Sequence, residues 1–165
     1  MAGIEYIKKS VSELLGKDSS VHGDKHVFCV YHTAMDFCSE IPEANRDLVA
    51  AAALLHGCDD YKLFGEKNAR LLTNTRRILA DSGFDNAFAD KCIEIVETIG
   101  YSKRLNRIMP GCIEGKIVSD ADMTLTEPGH KCLSKRDETL VDFLRTYFNE
   151  VDAPQIWKDL LTQYK

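Results

Sequence analysis

The sequence predicts an all-α fold, a single compact helical bundle formed by residues 1–165. Three observations predict it. Apolar residues recur three and four positions apart along most of the chain. No stretch alternates apolar and polar residues with the two-residue period of a half-buried strand. The run LVAAAALLH is apolar on every side, which places a helix at the centre of a bundle rather than on its surface.

Each element follows from its pattern. Ile4, Ile7, Val11 and Leu14 form the buried stripe of a first helix that Gly16 stops. A second helix, from Asp24 to about Cys38, buries Val27, Val30, Ala34 and Phe37, and SEIPEANRD breaks it. The central helix runs from about Glu43 to His56. One helix from Glu66 to Asp81 carries Ala69, Leu72, Ile78 and Leu79 inward and ends at Gly83. Asn86 to Ile99 forms another amphipathic helix, and YSKRLNRIMPG is a loop with a basic centre. Residues 111–126 place Ile113, Ile117, Ala121 and Leu125 inward. From about Arg136, Leu140, Phe143, Leu144, Tyr147, Ile156, Leu160 and Leu161 mark one or two closing helices, which either cap the core or form a homo-oligomer surface.

Composition narrows the function. With 44% hydrophobic and 28% charged residues in 165, one domain can bury a substantial core. The net charge of −5 and the lack of a long basic run disfavour duplex nucleic acid, whose phosphates need clustered Lys and Arg. A small anion remains compatible, because a pocket can be locally positive in an acidic protein. The six cysteines contain no C-x-x-C pair and read as reduced thiols. No apolar run approaches the ~20 residues of a membrane span, and MAGIEYIKKSVSELLG lacks the apolar stretch of a secretory signal. A cytoplasmic protein is expected.

Polar residues stand where apolar ones belong. His26 borders the stripe of the second helix, and His56 ends the apolar helix, followed by Gly57, Cys58, Asp59 and Asp60. Asp120 and Asp122 flank the stripe of the 111–126 helix. Burying such groups is costly unless they are paired or bind a metal. Three helices thus each direct a nitrogen or oxygen donor toward one interior, a set suited to Mn, Fe, Zn or Ni. Any one of these histidines, taken alone, reads more simply as a satisfied core residue.

The segments HGDKHVFCVYHTA, AAALLHGCDDYK and IVSDADMTL, in that order across roughly residues 18–130, resemble the H…HD…D signature of the HD-domain superfamily. The resemblance implies an all-helical HD-type bundle and a divalent metal, Mn, Fe, Zn, Ni or Mg, held by His26, His56 and Asp122. It implies metal-assisted hydrolysis of a nucleotide or other small phosphorylated metabolite. Asp60 would orient or deprotonate the attacking water, and Lys62 would hold a substrate phosphate. His22, Lys103 and Arg104 are candidate substrate contacts, although a helix-start histidine accounts for the first equally well and a solvated loop accounts for the other two more simply. Asp120 would support the site through hydrogen bonds. His32 and His130 read as structural, and Cys58 as a buried inert thiol.

The chain departs from the pattern twice. Asp60 and Lys62 resemble the outer positions of a branch of small HD proteins whose second motif reads L-H-D-x-x-D-x-K, and Cys29 stands where that branch often has a basic residue. Gly57 stands where the family has its metal-binding aspartate. Three ligands would then remain, with Asp59 or Asp60 available to swing in, a movement that glycine eases. The other consequence would be loss of the metal, leaving a degenerate, non-catalytic HD domain that binds a ligand or a protein partner. A structural zinc built from His22, His26 and a cysteine lacks finger spacing.

Overall fold

In the computed structural model, the residues described are 3–17, 23–100, 103 and 106–124. They form eight helices and no strand. These are α1 (Gly3–Leu15), α2 (Asp24–Ser39), α3 (Arg46–Leu55), α4 (Tyr61–Phe64), α5 (Glu66–Leu71), α6 (Thr73–Asp81), α7 (Asn86–Val96) and α8 (Ile113–Thr124). The all-α expectation therefore holds. The closing helices proposed beyond residue 136 lie outside the described residues.

α3 is the axis of the bundle. Every residue from Leu48 to Leu55 is buried, as an all-apolar helix requires. α1, α2, α7 and α8 pack around it. α2 turns Val27, Val30, Ala34 and Phe37 inward, the four positions read from its spacing. α2 also packs on α8, so α2, α3 and α8 touch pairwise and form a three-helix junction. The start of α3 is fixed by Asn45, whose side chain accepts from the Leu48 amide at 3.1 Å. The backbone N–H of Asn45 donates to Glu114 Oε1 at 2.9 Å, tying the start of α8 to that of α3.

The helix expected over 66–81 is two helices. The chain breaks at Leu72, which adopts a left-handed conformation (φ 52°). Such a backbone is strained for a residue with a Cβ. Here it turns Leu72 into the core, where it is 8% exposed. Leu72 also stands at the N-cap of α6 and has no side-chain oxygen to cap it. A residue from outside the helix performs that task. The end of α6 follows expectation, with Gly83 at φ 87°, the conformation glycine adopts most readily after a helix.

Candidate metal centre

The three-helix junction brings together the donors that sequence reasoning placed on separate helices. His26 lies in the first turn of α2, His56 is the C-cap of α3, and Asp122 lies near the end of α8. One donor atom from each lies within 4.8 Å of the others, a group able to hold a metal ion. Nε2 of His26 is 3.1 Å from Asp122 Oδ1, and Nε2 of His56 is 3.5 Å from the same oxygen. The two rings meet edge to face, with centroids 5.5 Å apart.

These spacings suit a shared cation. Two ligands each about 2.0–2.1 Å from one metal lie roughly 2.9–3.4 Å apart at tetrahedral or octahedral angles. The Asp122 contacts fall close to that span. Nδ1 of His56 lies 2.6 Å from the Ala53 carbonyl, which can only accept, so this nitrogen donates. In the neutral ring, Nε2 then presents a lone pair toward Asp122. Two lone pairs facing one another require a proton or a metal between them. A backbone carbonyl orienting a histidine from behind in this way is a recurrent partner of metal-binding imidazoles.

Electrostatics agree with the geometry. Burial pushes the Asp122 carboxyl up, but the hydrogen bonds and positive charge offered by His26 and His56 outweigh it and hold the group far below the usual carboxylate range. Burial pulls His56 down, yet Asp122, the Ala53 carbonyl and the more distant charge of Asp60 together raise it above its ordinary value. The site opens through α2. The His26 side chain is 23% exposed, against 13% for Asp122 and 8% for His56.

The other predicted residues divide. Asp59 does not join the three donors. It is 5% exposed, and its carboxylate accepts from the backbone N–H groups of Asn74 and Thr75, both at 2.8 Å, and from Asn68 Nδ2 at 3.3 Å. It is the external cap that α6 lacks, so swinging it toward a metal would uncap that helix. Asp60 caps α4, accepting from the Lys62 amide at 2.8 Å, while its charge reaches His56. The exposed Lys62 directs its ammonium over the Tyr61 ring, 5.9 Å from the centroid, and Tyr61 is itself 59% exposed. Lys103 is half-buried, and its carbonyl accepts from the Ile108 amide. His22, Arg104 and His130 lie outside the described residues. Asp120 is buried on α8, and His32 is exposed beside Tyr31. A groove of about 600 Å³ lies at the opposite end of α3, beside Asn45, Phe88 and Lys91, and does not include the three donors.

Two contacts escaped the sequence reading. The Ala53 carbonyl behind His56 carries no signal in residue type. Val27, counted only as core, has its Cγ2 where a side chain at residue 57 would begin: a Cβ built on Gly57 would lie 2.8 Å from it. The i, i+1 placement of His26 and Val27 was the available hint, because a residue adjoining a ligand packs near the same site.

The chain matches no family model, no curated protein and no solved structure.

Proposed function

We propose that this chain is an HD-type metal-dependent phosphohydrolase acting on a nucleotide or another small phosphorylated metabolite. One observation carries the reading: two imidazoles from different helices converge on a single oxygen of Asp122, at 3.1 and 3.5 Å. A polar group of this kind in a bundle interior is costly unless its members are paired or bind a metal, and this one supports either a proton or a metal between them. The order and spacing of the three motifs, H…H…D, supply the HD-type assignment.

A divalent metal at His26, His56 and Asp122 would supply a water of lowered pKa and charge to neutralise a phosphoryl oxygen. Asp60, whose charge reaches His56, is the group assigned to orient the attacking water and accept its proton. Lys62 stands on the adjacent turn with a flexible four-carbon arm, and its ammonium is assigned to a substrate phosphate. His22, Lys103 and Arg104 remain the candidate substrate contacts. The five described cysteines are free thiols, which suits a reducing, cytoplasmic setting.

The second reading is a degenerate HD domain that binds a ligand or protein partner without turnover, and the glycine at residue 57 favours it. Metal content and phosphate release separate the two. Protein loaded with Mn, Fe or Zn is expected to retain metal and to release phosphate from members of a nucleotide and sugar-phosphate panel. His56→Ala is expected to lose both. Retained metal with no turnover on any member would favour the binding module. Undiminished turnover in His56→Ala would remove the site assignment.

A further inference from the structure

Gly57 follows His56 directly, so whatever stands at residue 57 projects beside a metal donor. Its backbone does not account for the glycine, because Gly57 is not among the residues with positive φ. The space around it does. A Cβ there would lie 2.8 Å from Val27 Cγ2, closer than real Cβ contacts come. Val27 cannot easily withdraw. It is fully buried in the first turns of α2, and valine in a helix has one strongly preferred rotamer. Its methyl group is not the free end of a flexible chain. Val27 also follows His26 directly, so the residue that fills this space and the first donor move as one unit.

The nearby carboxylates do not replace the missing group. Both oxygens of Asp59 accept hydrogen bonds from the start of α6, and Asp60 caps α4. Among the described residues the donor set is therefore two imidazoles and one carboxylate. Zinc forms catalytic sites with three such protein ligands and an open position. Manganese and magnesium favour shells richer in oxygen.

We infer that Val27 is a determinant of metal choice: by filling the side-chain space of residue 57 it bars a fourth protein ligand and biases the centre toward zinc-like ions over manganese and magnesium. The inference rests on the metal-centre reading above. Zinc outbinds manganese at most nitrogen and oxygen sites, so the diagnostic quantity is the change in preference between variants, not the preference itself.

The experiment is a cycle of four full-length proteins: the parent, Val27→Ala, Gly57→Asp and Val27→Ala/Gly57→Asp. Gly57→Ala serves as a steric control that adds a Cβ and no ligand. Zn²⁺ and Mn²⁺ affinities are measured by competition with a chromophoric chelator, and thermal midpoints are measured in EDTA. Gly57→Ala and Gly57→Asp are expected to melt below the parent, and Val27→Ala is expected to return part of that loss in the double variant. The double variant is expected to gain about tenfold or more in Mn²⁺ affinity over the parent, and more for Mn²⁺ than for Zn²⁺, a change of the size that loss or gain of one ligand-shell partner brings. Gly57→Asp alone is expected to gain little. If Gly57→Asp alone matched the double variant in Mn²⁺ affinity and kept the parent's midpoint, Val27 would not bar the position and the inference would fall, with the metal centre intact. If none of the folded proteins bound either metal, the metal-centre reading would fall and take the inference with it.

Discussion

Two carboxylates stand close to the end of α3, Asp59 buried and Asp122 half-buried, and their surroundings differ in the kind of donor that meets them. Asp59 is met by two backbone amides and an asparagine side chain. Asp122 is met by two imidazoles. Backbone amides are permanent donors with no other state, so Asp59 is fixed as a helix cap and is part of the fold. Imidazoles exchange a proton for a metal near neutral pH, so Asp122 can share its oxygen with either. The same residue type becomes a structural device in one place and, in the other, part of a group able to hold a metal ion.

The largest expected effect falls on the structural carboxylate. Asp59→Ala leaves the first N–H groups of α6 without their acceptor in a buried setting. Hydrogen bonds to a charged group contribute about 1.5–3 kcal/mol each, and orphaned donors add a penalty. Because such terms are not additive, a loss of about 3 kcal/mol is expected in urea unfolding. The folded fraction should take up metal with the parent's stoichiometry. A variant of parental stability that no longer held metal would reverse the roles assigned to the two carboxylates.

Asp122→Ala should act the other way. Removing a supporting partner behind a metal ligand typically lowers affinity by about 10–100-fold, and removing the ligand itself should lower it by at least about 100-fold. Measured in EDTA, its unfolding midpoint should move less than that of Asp59→Ala, because its loss leaves no helix end uncapped. If Asp122→Ala destabilised the metal-free protein as much as Asp59→Ala, the His–Asp cluster would be a core network rather than a ligand site, and the contrast would collapse.

How much of this contrast the sequence carried differs between the two regions. Because burial repeats with the helical period, spacing named the inward face of α2 and, with Ile7 and Val11, most of that of α1, where it put Leu14 in place of the buried Leu15. The all-apolar run named α3 as the buried helix. The donors His26, His56 and Asp122 were legible for the same reason, as polar residues bordering apolar stripes. The role of Asp59 was not. It depends on the break at Leu72, where a leucine takes a left-handed backbone to reach the core. No glycine or asparagine announces that turn, so spacing joined α5 and α6 into one helix. Once the break is known, α6 begins without its own cap, and the buried carboxylate thirteen residues upstream has a use. The Val27 contact on Gly57 was equally hidden, because it joins positions thirty residues apart that no local pattern relates.

Cys58 sharpens the comparison because it stands between the two regions. It is fully buried, and its thiol donates toward the Leu54 carbonyl at a long 3.8 Å. A thiol binds metal as the thiolate, and burial first, then the charge of Asp59, pushes the Cys58 thiol far above its ordinary value. Cys92, also fully buried, is pushed up to about 12 by burial. At pH 8 a thiol of that pKa is ionised in roughly one molecule in 10⁴, too few for ready alkylation. Cys112 is exposed. Alkylation at pH 8 followed by peptide mapping should label Cys112 well before Cys58 and Cys92, which should react only in denaturant. Loading with metal should leave the Cys58 result unchanged. Labelling of Cys58 as fast as Cys112, suppressed by metal, would instead make the thiol a fourth donor, and the centre could no longer be one of two imidazoles and a single carboxylate.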